Sequence, residues 1–173
     1  MRLLKPVILG LTGLSVVILL ISSLLPNHVM TSKWVRVHAS KDSILDEVRN
    51  LKGWKDWNGL LMGASNVQVS DSTMSWTSAG SDKINTVTIK GSSSMGLSTE
   101  ISLHEGKPFN SGFSIEKRDP SMDSVQVVWF IVEELKWYPW EKFYGIMAQD
   151  VKGPLMQQSL DRLKIKLQSG SKN

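Results

Sequence analysis

Apolar and polar positions along this chain fall into three regimes. From Val7 to Leu25 the sequence reads VILGLTGLSVVILLISSLL, nineteen residues without an ionisable group. At the α-helical rise such a run spans about 28 Å, close to the thickness of a bilayer's hydrocarbon core. From Asn66 to Val132 the alternation has period two, and turn-forming residues divide it into short runs. From Pro139 onward apolar residues recur at helical spacing.

Each regime predicts elements. The first is one membrane-spanning helix. Residues 26–33 read as a linker, and Trp34–Ala39 alternates like a strand. Ser40 is placed to cap a helix over Lys41–Leu51 whose apolar stripe is Ile44, Leu45, Val48 and Leu51. Gly53 interrupts it before a short segment carrying Trp54 and Trp57. The period-two region predicts strands at Val67–Ser70, Thr73–Thr77, Ile84–Lys90, Leu97–His104, Gly112–Lys117 and Ser124–Val132. Turns are expected at Ser78–Asp82, Gly91-Ser92-Ser93, Glu105–Pro108 and Asp119-Pro120-Ser121. The last element is a long helix with Pro139 in its first turn, and Gly153-Pro154 is expected to kink or break it. Residues 169–173 are expected to form a disordered tail.

The expected class is α+β: a curved antiparallel sheet of about six or seven strands wrapped on the long C-terminal helix, behind one N-terminal transmembrane helix. A sheet bent around one helix leaves room for an apolar pocket. The sheet-side lining would be Trp57, Met74, Trp76, Ile89, Ile101, Phe113, Val127 and Trp129. The helix-side lining would be the stripe Trp140, Phe143, Met147 and Val151.

Charge and composition narrow the picture. Of the 20 basic residues Arg2 and Lys5 precede the apolar run, which leaves 18 against 16 acids and a balance of +2 for the remainder. That is no nucleic-acid footprint. With zero cysteines, disulfides, thiolate chemistry and a lipoprotein anchor are excluded. The run is longer than a signal-peptide core and ends without a small-residue cleavage pattern, so a retained anchor is favoured over a cleaved signal. Arg2 and Lys5 place the N-terminus in the cytoplasm and the domain outside it.

Candidate chemistry is sparse. His28, His38 and His104 have no metal-ligand spacing, so no metal is expected. His104 stands beside Glu105, as a base with its orienting acid or as a solvated turn pair. Glu133 and Glu134 are adjacent on a strand and point to opposite faces. Gly91–Gly96 lacks the Lys-Ser/Thr of a phosphate loop, and no G-x-S-x-G elbow occurs. The aromatic cluster Trp137–Tyr144 has three readings: packing at the sheet–helix junction, a pocket mouth, or a bilayer-interface belt. Val128, Phe130 and Val132 make an apolar outer face that raises homodimerisation.

Val35-x-Val37-x-Ala39-Ser40 running into a helix, then Trp54-x-x-Trp57-Asn58, then Val125-x-Val127-x-Trp129, then Gly153-Pro154 and Leu160-x-x-Leu163-Lys164 form an ordered set. It resembles the SRPBCC superfamily, the START and Bet v 1-like helix-grip proteins, and within it the bacterial polyketide cyclase/dehydrase branch. Two positions depart from the pattern. Ser124-Val125 stands where members often carry Gly-Thr, and Ser159 stands where a glycine precedes the closing leucine. The resemblance implies a cavity for a hydrophobic ligand and no particular reaction. The expected function is therefore a membrane-held binder of an apolar or amphipathic, lipid-like small molecule, without cofactor. A cyclase- or dehydratase-like enzyme and a structural module with a filled core are the alternatives. No catalytic residue is assigned.

Overall fold

In a computed structural model, residues 4–104, 106–117 and 124–170 are described. The N-terminal apolar run forms α1, Leu4–Leu24. Strand β1 follows at His28–Val37, then α2 at Lys41–Arg49, a 3-10 turn at Leu51–Gly53, the short α3 at Trp54–Trp57 and a second 3-10 turn at Gly59–Leu61. Six strands come next: β2 Ser65–Val69, β3 Thr73–Thr77, β4 Ile84–Ser93, β5 Gly96–Ser102, β6 Phe109–Glu116 and β7 Val125–Glu134. Helix α4, Pro139–Gly170, ends the described chain.

All seven strands belong to one antiparallel sheet of order β1-β7-β6-β5-β4-β3-β2. Strands β2 to β7 form a meander, and β1 closes onto β7 in an unbroken register from His28 opposite Glu134 to Val37 opposite Val125. This pairing extends the strand back through most of the expected linker at 26–33. An edge strand takes its hydrogen bonds from its neighbour's backbone, so the weakly patterned His28–Lys33 is strand because β7 reaches to Glu134.

Local rules explain the rest. Ser40 caps α2, its hydroxyl accepting from the Ser43 amide at 3.1 Å, and Ile44, Leu45 and Val48 are buried. The turn expected at Gly91-Ser92-Ser93 lies within β4. The register shifts between Ile89 and Gly91 and pairing continues to Ser93 opposite Gly96, because a bulge absorbs the glycine. Helix α4 runs unbroken through Gly153-Pro154. Asp150 and Pro154 are both exposed, so the carbonyl that loses its partner lies on the outer side of the helix, away from the domain. The turn expected at Asp119-Pro120-Ser121, Glu105, and the end of the expected tail at 171–173 lie outside the described residues.

One face of the sheet carries the core, covered by α2, α3 and the second half of α4. Lys166 holds that half in place: its ammonium donates to Glu47 on α2 at 2.9 Å and to Asp56 on α3 at 2.7 Å. The hydrogen bond from Lys166 holds the Asp56 carboxyl below the usual carboxylate range. Burial alone would lower the Lys166 ammonium, but its bonds to Asp56 and Glu47 outweigh that and raise it.

Candidate functional site

The residues expected on the sheet side lie in the buried core. Trp57, Ile101, Val127 and Trp129 have no exposed surface, and Met74, Trp76 and Phe113 are buried with them. Ile89 packs on the rim of this cluster. Phe113 stacks on Trp129 with centroids 5.4 Å apart, while Trp54 and Trp57 meet Phe113 edge-on at 5.9 and 5.7 Å. Three of the indole N–H groups have acceptors: Trp54 donates to the Val48 carbonyl, Trp57 to Glu47 Oε1 and Trp129 to Ser111 Oγ. Met156, Leu160 and Leu163 of α4 belong to the same cluster. Satisfied indoles and interlocked rings leave these side chains committed to one another.

The expected helix-side lining points the other way. Trp140 is 69% exposed, Phe143 42%, Met147 59% and Val151 57%. The face that meets the sheet in this half of α4 is made of Gly145, Ala148 and Gly153 instead. A Cβ on Gly145 would collide with Leu135, and one on Gly153 would lie 2.7 Å from Lys33 Cε. Small residues stand where the helix passes closest to Leu135 and Lys33. Beyond Pro154 the large apolar residues change sides, and Met156, Leu160 and Leu163 face inward. The two stripes lie on opposite faces of one continuous helix.

The open space lies elsewhere. A cleft of about 800 Å³ sits at the end of the sheet where the first half of α4 leaves it. Its floor and walls come from Leu103, Phe109, Leu135 and Tyr144, and its rim from Lys107, Lys136, Glu134 and Glu141. Glu133 and Lys152 form an ion pair on its inner side, and the Lys152 ammonium also sits 4.9 Å from the centre of the Phe109 ring. Glu134 is exposed and Glu133 half-buried, and at this strand end both border the same cleft. None of the twelve residues expected to line a pocket lines this cleft. His104 stands at its edge, where its backbone amide donates to Asn85 Oδ1 at 3.2 Å.

No family model and no curated protein matches the chain. Solved structures do. A START superfamily protein from Mycobacterium smegmatis aligns over 81% of this chain and 97% of its own, at 18% identity and a TM-score of 0.57. The Zhui aromatase/cyclase from Streptomyces sp. R1128 aligns over 84% and 96%, at 12% identity and 0.60. A Staphylococcus aureus protein of unknown function aligns over 84% and 97%, at 9% identity and 0.64. The chain has the START-like helix-grip fold.

Within that START-like frame, Ser159 accounts for one departure noted in the sequence. Its hydroxyl accepts from the Gly59 amide at 2.8 Å and donates to the Leu155 carbonyl at 2.7 Å, joining α4 to the turn after α3. Gly59 fits closely there, since a Cβ would meet the Leu155 and Ser159 side chains at 3.0 Å. Lys142, a polar residue in the cluster read as a pocket mouth, is buried. Its ammonium donates to the carbonyls of Leu25 at 3.3 Å and Pro26 at 2.7 Å, and to Asn27 Oδ1 at 2.5 Å. A cation on the carbonyls just past a helix end is the favoured arrangement. Ser22 reinforces it, donating to the Trp137 carbonyl at 3.3 Å. Sequence reasoning missed the cleft because its lining is gathered from the β5–β6 turn, the end of β7 and α4, which lie apart in the chain. It missed the Lys142 contact because the partners are backbone oxygens more than a hundred positions away.

Proposed function

We propose that this START-like domain is a membrane-held binder of an amphipathic, lipid-like small molecule, and that the guest sits in the cleft between the β5–β6 turn, the end of β7 and α4. The single observation that carries the proposal is the composition of that cleft. Leu103, Phe109, Leu135 and Tyr144 offer apolar surface, and the rim carries both charges, Lys107 and Lys136 beside Glu134 and Glu141, to meet a polar headgroup. Burying ligand surface on such walls gains about 25 cal/mol per Å². The anchor is α1, whose segment Lys5–Leu24 is long and apolar enough to cross a bilayer. Arg2 and Lys5 favour a cytoplasmic N-terminus and a domain on the other side.

Gly106 provides the test, since a Cβ there meets nothing within 4 Å. Gly106 also lines the cleft, so Gly106→Trp is expected to obstruct it at no steric cost at the Cβ. The full chain in phosphatidylcholine nanodiscs is titrated with a dansyl-labelled fatty acid. Saturable binding by the wild type, weakened at least tenfold in Gly106→Trp, supports the reading. Absence of saturable binding, or equal binding by both, overturns it.

A second reading is a solid structural module, and the interlocked Trp54, Trp57, Phe113 and Trp129 favour it. The same titration decides between the two. A cyclase-like enzyme would need a titratable group free to move a proton inside the cleft. Glu133 and Lys152 face it bound to each other, and Glu134, Glu141 and His104 stand at its edge.

A further inference from the structure

The first half of α4 shows the reverse of ordinary amphipathic packing. It turns Gly145, Ala148 and Gly153 to the domain and Trp140, Phe143, Tyr144, Met147 and Val151 to the outside. Trp140, then Phe143 and Tyr144, then Met147, then Val151 follow at helical spacing and make one stripe about 16 Å long. Asp150 and Pro154 only flank it. A row of large side chains on this scale is what a helix presents to an apolar phase rather than to water.

The position of the stripe says which phase. Its beginning is fastened to the end of α1 by the bonds from Lys142 to Leu25 and Pro26 and from Ser22 to Trp137. Among the described residues α1 is the one helix able to span a bilayer. Where α1 leaves the hydrocarbon, the chain thus presents exposed Trp137 and Trp140, with Tyr138 stacked on Trp140 at 5.0 Å and the Lys136 ammonium over the Tyr138 ring. Trp and Tyr beside a lysine are the side chains that settle at headgroup depth.

We propose that the exposed stripe of α4 from Trp140 to Val151 lies in the headgroup region of the leaflet where α1 emerges, as a second, interfacial membrane contact. Tyr144 belongs to the stripe and also lines the cleft. The docked domain therefore holds its cleft open towards the lipid surface, and the bilayer is the route by which an amphipathic guest reaches it. The inference rests on the reading of α1 as an anchor and is independent of whether the cleft is filled.

The chain has no cysteine, so single-cysteine variants carry one label each. Nitroxide is attached in turn at Met147→Cys, Val151→Cys, Ile165→Cys and Val16→Cys in the full chain, reconstituted in mixed phosphatidylcholine–phosphatidylglycerol vesicles. All four positions are exposed, so folding is undisturbed. Power saturation reads accessibility to oxygen against a nickel chelate. Expected is an oxygen-to-nickel ratio at Met147 and Val151 several-fold above that at Ile165, with Val16 higher still. Ratios at Met147 and Val151 equal to that at Ile165 overturn the docking. If Val16 reads as aqueous too, the anchor fails with it. Dipolar broadening between labels of two chains at Met147 means that a second copy covers the stripe, which also overturns the proposal. Gly106→Trp is expected to leave all four ratios unchanged, which separates this result from the occupancy of the cleft.

Discussion

The Lys142 ammonium donates to the Pro26 carbonyl at 2.7 Å, and this contact joins the apolar helix to the domain's long helix. It is a buried charge with three oxygen partners, so its removal leaves those oxygens unpaired. Lys142→Met is expected to cost about 1–3 kcal/mol. Limited proteolysis of the full chain should show faster cleavage between Leu24 and His28. Unchanged cleavage would mean that the junction is held by β1 alone.

The aromatic cluster predicts a large cavity penalty. Trp129 is fully buried, stacks on Phe113 and donates to Ser111. Trp129→Ala should destabilise by about 3–5 kcal/mol in urea unfolding followed by near-ultraviolet circular dichroism. A cost below about 1 kcal/mol would reveal slack in the interior that these contacts do not contain.

Thr31 predicts a gain. Its hydroxyl is buried in β1 and finds no hydrogen-bond partner among the described residues. Thr31→Val keeps the shape and removes the stranded group, so it should stabilise by about 1 kcal/mol, read as a raised urea midpoint. A loss of stability instead would show that the hydroxyl serves a bound molecule.

The Lys166 contacts make a pH prediction. Asp56 titrates below its unfolded value, so its contribution is present above about pH 4 and is lost as pH falls through the lowered folded value. Lys166 titrates above its unfolded value, so its contribution is complete below about pH 10.4 and is lost as pH rises beyond that. Asp56 is half in solvent, which keeps its share to under about 1 kcal/mol. Asp56→Asn should melt lower than the wild type at pH 7, and the gap should close in acid. A gap that persists at pH 2 would assign the effect to packing.

Much of the scaffold is legible in the sequence because backbone rules are local. The period-two runs fall on β2 to β7, Ser40 caps α2, and Ile44, Leu45 and Val48 mark its buried face. The failures share a cause. Helical spacing shows that Trp140, Phe143, Met147 and Val151 share a face but is silent about what that face meets. The signal that locates the domain side is the weaker row Gly145, Ala148 and Gly153, whose small size matters only once β1 and Leu135 are in place. The sheet's inward face is legible as a set of bulky residues, whereas whether they line a hollow or fill it depends on ring orientation, as with Phe113 over Trp129. The cleft escaped notice because Gly106, Lys107 and Pro108 read only as a turn.

The most direct measurement is native mass spectrometry of the full chain released from nanodiscs, wild type beside Gly106→Trp. The account predicts one lipid-sized adduct on the wild type and its loss from the plugged variant. A bare wild-type mass, or an adduct kept by Gly106→Trp, would contradict a guest in the cleft.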